Sequence, residues 1–256
     1  MLNIYIGYDP KEAIAYHVLC HSILRRATAP ISITPLVRDH FRAFFTRERG
    51  PHDSTDFSIT RFLVPYLSGY SGWSVFMDCD ILCRTDITTV WADMKPPFNP
   101  AVWVAQHDYT PKEGLKMQGQ AQTTYPRKNW SSFMVFDNQQ CRALTPDYVA
   151  QASGLDLHHF NWLKSPEWEI GALPLDWNWL VGEYPANPQA RMLHYTRGGP
   201  WWGQWRETDH AAEWLAEYRD MTGQDFYLTQ TWQLPVINPH IVPLGDKPHQ
   251  ECLHGK

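Results

Sequence analysis

Residues 75 to 82 read Val75-Phe76-Met77-Asp78-Cys79-Asp80-Ile81-Leu82, an apolar run that enters Asp-X-Asp and returns to apolar residues. Preceded by Gly72 and a helix-like segment, this pattern predicts a buried strand that ends in two acids. Strand side chains alternate faces, so Asp78 and Asp80 are predicted to point the same way and Cys79 the opposite way. Two carboxylates on one side of an apolar strand end are costly unless a cation sits between them. Two hard oxygen ligands suit magnesium or manganese, which usually share their coordination with phosphate oxygens. The plainer alternative is a pair of acids that cap nearby helices or bind Arg61.

The chain before this stretch predicts a nucleotide-binding type of opening. Leu2 to Ile6 alternates like a strand. The turn Gly7-Tyr8-Asp9 follows, with Asp9 suited to a helix N-cap, Pro10 to the first helical position and Glu12 to the third, a capping-box pattern. The helix is expected to run to about Arg26, with Ile14, Val18 and Ile23 on its buried side. Ligands of such strand–turn–helix units sit at the carboxyl ends of the strands. Ile31 to Leu36 predicts a second strand. Ser58 to Leu67 predicts a helix that carries Arg61 among apolar residues, with Pro65 in an awkward place and Gly69 and Gly72 ending it.

Beyond the acids, Ala101 to Gln106 and Ser132 to Phe136 predict strands, and Thr110 to Lys128 a mobile polar loop. Thr145-Pro146-Asp147 opens a short helix. Met192 to Thr196 predicts a strand entering the turn Arg197-Gly198-Gly199-Pro200-Trp201-Trp202. Thr208 to Met221 is the clearest amphipathic helix, with Ala211, Trp214, Leu215, Tyr218 and Met221 at helical spacing, Thr208 as cap and Gly223 as stop. The tail with Pro235, Pro239, Pro243 and Pro248 reads as extended. Strands alternating with helices predict a single α/β domain, Rossmann-like, with a mainly parallel mixed central sheet and flanking helices.

Composition narrows the partners. A net charge of -5 over 256 residues argues against nonspecific nucleic-acid binding. No leader pattern opens the chain, and no run approaches the roughly 18 apolar residues of a membrane span, so a cytoplasmic protein is expected. Cys20, Cys79, Cys83, Cys141 and Cys252 are odd in number and scattered, which predicts reduced thiols. Cys79 and Cys83 lack a second pair for zinc. The 13 Trp residues, including Trp177, Trp179, Trp201, Trp202 and Trp205, are expected to pack the core more than to stack on sugars.

Taken in order, the Asp9 turn, the helix with Arg61, Phe76-Met77-Asp78-Cys79-Asp80, Asn129-Trp130-Ser131-Ser132-Phe133-Met134-Val135 and His194-Tyr195-Thr196-Arg197-Gly198-Gly199-Pro200-Trp201 resemble the nucleotide-sugar glycosyltransferases of the GT-A fold. The resemblance is greatest to glycosyltransferase family eight, the glycogenin and bacterial lipopolysaccharide galactosyl- and glucosyltransferase group, and covers roughly residues 2 to 205. It implies a GT-A catalytic domain over 1–205, with 206–256 as a C-terminal helix and extended tail packed on it. It also implies a UDP-sugar donor, Mn2+ (or Mg2+) as cofactor, and retaining transfer of a hexose. By similarity, Asp78, Asp80 and His194 are metal ligands, with Asp80 also near the donor ribose or sugar. Gly7, Tyr8 and Asp9 match the uridine-contacting turn, and Arg61 the helix-borne residue that touches the diphosphate or sugar. Asn129 or Ser131 falls where the family contacts the transferred sugar. Arg197, Gly198 and Gly199 belong to the diphosphate turn, which is one residue shorter here and lacks the family's Lys. Leu157-His158-His159-Phe160 stands where the family carries an Asp-Gln pair near the acceptor.

Three functions follow from these readings. The first is a glycosyltransferase acting on a glycan or other carbohydrate acceptor, cytoplasmic or peripheral at the inner membrane face. The second, favoured by the missing turn Lys, is a nucleotide-sugar-binding or carbohydrate-binding protein without catalysis. A sugar-nucleotide-forming nucleotidyltransferase fits less well, because Gly7-Tyr8-Asp9-Pro10 lacks the Gly-rich basic signature that such an enzyme needs.

Overall fold

The computed structural model describes residues 1–50, 53–95, 99–110, 115–116, 120–121 and 126–227. Its strands are β1 (Leu2–Gly7), β2 (Ile31–Leu36), β3 (Trp73–Met77), β4 (Ile81–Cys83), β5 (Val102–Ala105), β6 (Leu115–Lys116), β7 (Gln120–Ala121), β8 (Phe133–Asp137), β9 (Ile170–Leu173), β10 (Trp179–Leu180) and β11 (Met192–His194). The α-helices are α1 (Ala13–Leu24), α2 (Val64–Leu67), α3 (Pro146–Gln151), α4 (Gly154–His158), α5 (Pro166–Glu169) and α6 (Ala211–Thr222).

The main sheet has the order β2-β1-β3-β8-β5-β9. Its neighbours are parallel except at β8, which runs antiparallel to both β3 and β5. This is the expected mainly parallel mixed α/β sheet. The register decides where function can sit. Ile6 pairs with Met77, and Met77 with Phe133, so the carboxyl ends of β1 and β3 and the start of β8 share one edge. Ala105 pairs with Leu173 there too, which brings the segments after β5 and β9 to the same place.

A second sheet, β10-β11-β4, lies at this edge. The stretch read as one strand from Val75 to Leu82 is therefore two. Chain pairing with β1 stops at Met77, residues 79–80 form a turn, and β4 joins the other sheet against β11. Asp78 and Asp80 converge because of this turn and not because of strand alternation.

Other local expectations shift for tertiary reasons. Asp9 caps as predicted, accepting the Lys11 N–H at 2.9 Å, but the first turn is 3-10 and α1 starts at Ala13 and ends at Leu24. Glu12 closes no capping box: it is buried and accepts hydrogen bonds from Trp201 and Trp202. Residues 58–67 form a 3-10 turn, Thr60–Leu63, that leads into α2. Pro65 sits at the start of α2, where its missing N–H costs nothing. Thr208 is not the cap of α6. His210, at φ +61°, holds that place, and Gly223 at φ +71° ends the helix as predicted.

The main core gathers apolar residues from the whole sheet, including Ile4, Val75, Phe76, Val104 and Phe136. Each such side chain contributes roughly 1.5–3 kcal/mol on burial. A second cluster joins Ala15 and Val18 of α1, Leu193 of β11, Tyr195, Trp201 and Trp214 of α6. Trp177 and Trp201 are buried as expected of core aromatics. Cys20, Cys79, Cys83 and Cys141 are free thiols. Met1–Phe226 forms one compact unit. The extended tail, with Cys252, and most of the polar loop between 110 and 128 lie outside the described residues.

Candidate metal and nucleotide site

The antiparallel pairing of Ile81 with His194 brings Asp80 and His194 together. Tyr195 N–H donates to the Asp80 carbonyl at 2.9 Å, and Asp78 N–H donates to the Ser132 carbonyl at 2.9 Å. The acid turn is thus tied to β11 on one side and to the start of β8 on the other. Asp78, Asp80 and His194 each offer one ligand atom, all within 4.8 Å of one another. His194 Nε2 stands 3.3 Å from Asp80 Oδ1. Asp80 and His194 are almost wholly buried.

The imidazole is oriented by Asn178, a residue that sequence reading passes over. His194 Nδ1 lies 2.9 Å from Asn178 Oδ1. Asn178 Nδ2 faces Ser132 Oγ at 2.9 Å, the Asn129 carbonyl at 3.0 Å and His107 Nε2 at 3.0 Å. A carbonyl oxygen can only accept, so this end of the amide is its NH2 group and the other end is its oxygen. His194 therefore donates from Nδ1, and its Nε2 faces the acids. That is the tautomer a metal ligand needs. Burial, and secondarily His194, push His107 down to about 3, so a neutral imidazole accepts from Asn178. The sequence signal was a lone amide inside the aromatic run Asp176-Trp177-Asn178-Trp179.

Arg61 is almost wholly buried. Its Nη1 is 2.9 Å from Asp78 Oδ1 and donates to the Ser131 carbonyl at 2.8 Å. Its guanidinium lies 5.3 Å from the Phe57 ring centroid and 5.0 Å from that of Phe76. The helix-borne cation thus meets the acid motif directly. Ser131 Oγ bonds His158 Nδ1 at 2.7 Å. Asn129 takes a left-handed backbone (φ +62°) and donates through Nδ2 to Tyr109 Oη at 2.7 Å and Thr196 Oγ1 at 3.3 Å.

At the end of β1, a Cβ on Gly7 would come within 2.2 Å of the Phe57 ring, so only glycine fits there. Tyr8 packs edge-on against Tyr16. Asp9 is buried, and its second oxygen accepts from Asp56 N–H at 3.2 Å. In the turn after β11, Gly198 has φ +128°, and its N–H donates to the Tyr195 carbonyl at 2.7 Å. Cβ atoms on Gly198 and Gly199 would meet Trp205 at 2.3 Å and Trp201 at 2.0 Å. Arg197 lies over Trp205, 5.1 Å from the ring centroid, and 3.9 Å from Glu183. The structure thus gathers Asp78, Asp80 and His194 into one cluster, links Arg61 to it through Asp78, and sets the Gly7–Asp9 turn at the same sheet edge. Glu12, whose place in the sequence suggests only a cap, is buried in a carboxylate neighbourhood. Burial first, then the charge of Asp80, push it up to about 8.

This mixed α/β architecture is that of GT-A glycosyltransferases, and solved structures share it at low identity. The WbbM bifunctional glycosyltransferase superposes with a TM-score of 0.58 at 16% identity, covering 85% of this chain and 49% of that one. GlyE of Streptococcus pneumoniae TIGR4 gives 0.55 at 12%, covering 84% and 59%. An active-site mutant of LgtC gives 0.52 at 11%, covering 90% and 98%. The chain spans about half the length of WbbM and under two thirds of GlyE, so these likenesses speak for the fold alone. No family profile matches the chain. Protein CDI of Arabidopsis thaliana is 42% identical over 227 residues, 85% of this chain and 86% of that protein. The chain belongs to the family of Protein CDI.

Proposed function

We propose that the chain is a metal-dependent glycosyltransferase, akin to family eight, that moves a hexose from a UDP-sugar to a glycan or other carbohydrate acceptor with retention. The observation that carries this reading is the convergence of Asp78, Asp80 and His194 within 4.8 Å at the carboxyl edge of a GT-A sheet. Two hard carboxylates and an imidazole whose Nε2 faces them suit Mn2+ or Mg2+. When bound, the cation offsets charge that develops on the departing nucleoside diphosphate.

The chain's own residues do the rest. The Gly7-Tyr8-Asp9 turn receives the nucleoside, and Asn178 holds His194 in its ligand tautomer. Arg61 shares its positive charge between Asp78 and the diphosphate side of the site. Asn129 faces the transferred sugar from the start of β8. Arg197, Gly198 and Gly199 border the diphosphate. Residues 1–205 form the catalytic part in this reading. The proposed setting is the cytoplasm or the inner face of a membrane. Among the described residues, no helix is long and apolar enough to cross a membrane.

One observation favours the second reading, a nucleotide-sugar-binding protein without catalysis. Arg197, the basic residue of the turn that lacks the family's Lys, lies over Trp205 and near Glu183, and the Gly198 N–H donates within its own turn. A panel of UDP-sugars incubated with Mn2+ separates the two. Slow release of UDP from at least one sugar nucleotide, abolished by Asp80→Ala, is the expected result. UDP binding with no turnover of any donor selects the binding protein, and absence of UDP binding removes both.

A further inference from the structure

The site's two turns come from opposite ends of the domain, and one buried acid links them. Glu12 lies three residues after Asp9 and is 3% exposed. Its Oε1 accepts the indole N–H of Trp201 and that of Trp202, each at 3.2 Å. Both tryptophans belong to the turn after β11 that carries Arg197, Gly198 and Gly199. That turn has no slack toward Trp201, whose ring occupies the space that a Gly199 Cβ would need, 2.0 Å away. Trp201 is fixed on its other side by Tyr195 and Trp214, at ring separations of 5.7 and 5.1 Å. Beside the packing of Ala15 and Val18 on Trp201, one carboxyl oxygen thus forms a polar tie between the segment that follows the Gly7–Asp9 turn and the segment that follows Gly198–Gly199.

We infer that Glu12 is a positioning residue that sets the spacing between the nucleoside turn and the diphosphate turn by gripping two adjacent indoles. The inference rests on the proposed nucleotide reading of those turns. What the grip requires is an acceptor oxygen, not a charge. Glutamine supplies the same oxygen in the same place, whereas leucine keeps the bulk and removes the acceptor. The ligand that senses the spacing is one that reaches both turns. UDP does so, while uridine reaches only the first.

The test compares Glu12→Gln and Glu12→Leu in the full chain by titrating uridine and UDP with Mn2+ present. Two lost indole hydrogen bonds correspond to roughly tenfold or more in UDP affinity. Glu12→Leu is expected to show that loss while holding uridine affinity within about twofold, and Glu12→Gln to match the wild type for both. Equal losses for uridine and UDP in Glu12→Leu overturn the inference, as does a Gln variant as impaired as the Leu variant. A second measurement needs no ligand. Amide hydrogen exchange across residues 198–205 is expected to quicken roughly tenfold in Glu12→Leu and to stay unchanged in Glu12→Gln; unchanged exchange in the Leu variant overturns the inference. If the Leu variant does not fold, Trp202→Phe removes one N–H and leaves the acid, and a smaller shift in the same direction is expected; no shift overturns the inference. If the wild type binds no UDP, the proposed function fails, and the exchange result still decides the role of Glu12.

Discussion

Arg61 and Asp78 face each other at 2.9 Å with both side chains largely buried, the guanidinium held against the rings of Phe57 and Phe76. A buried pair of this kind is costly to break from one side, because the remaining charge loses its partner.

Arg61→Met should therefore destabilise the metal-free protein by about 3–5 kcal/mol in urea unfolding. Added Mn2+ should restore part of that loss, because a bound cation offers Asp78 another partner. A loss that is the same with and without Mn2+ would argue that Asp78 does not belong to a metal site.

Asn178→Ala should lower Mn2+ affinity by about 10–100-fold, the usual cost of losing a partner that orients a ligating imidazole. Electron paramagnetic resonance of free Mn2+ during titration measures it directly. Asn178→Asp keeps the acceptor at His194 Nδ1 but puts a second oxygen where Nδ2 stood, facing the Asn129 carbonyl, to which a carboxylate cannot donate, so a loss is expected there as well.

Glu12 gives the metal-free protein an unusual pH dependence. Burial first, then Asp80, raise its pKa to about 8 from an ordinary 4.5. Between those values the folded state holds a proton that the unfolded chain has released. Stability from this group is complete below the unfolded value and is lost as pH rises through the folded one. Urea midpoints measured in chelator are expected to fall between pH 5 and pH 8 in the wild type, and to fall less in Glu12→Gln. A Gln variant with the same slope would show that another group is responsible.

Gly199→Ala should cost about 1–3 kcal/mol, because its new Cβ would sit 2.0 Å from the Trp201 ring and something must move. At roughly 2–4 °C per kcal/mol for a domain of this size, thermal unfolding resolves it. Gly203→Ala, where nothing lies within 4 Å of the added Cβ, is the matched control and should change little.

Much of the fold could be read from local pattern. β1, β2 and β8 and helix α6 announce themselves by alternation, periodicity and the Gly223 stop, all of which concern near neighbours in sequence. The acids and His194 were also legible, since their residue types are rare in apolar surroundings. What escaped was set by distant partners. The break at Met77 arises because β4 pairs with β11, more than a hundred residues away. Glu12 looks like a capping residue until Trp201 and Trp202 arrive beside it. Asn178 has no motif of its own, and only its contact with His194 shows its use. His210 displaces Thr208 as the cap of α6 because its Nδ1 meets Glu213 and its carbonyl accepts from Tyr195 Oη.

The pairing of Ile81 with His194 has a consequence for how such a chain can vary in length. Asp80 meets His194 because one short ladder holds β4 and β11 in step. Sliding that ladder by one residue would turn the imidazole to the opposite face. Insertions or deletions inside residues 78–83 or 192–196 should therefore be far more damaging than changes of the same size at exposed loop positions between them, such as 185–189. A library of single-residue insertions scored for folding and Mn2+ binding should show a narrow window at each of these two segments in which metal binding is lost, and none at exposed loops such as 185–189.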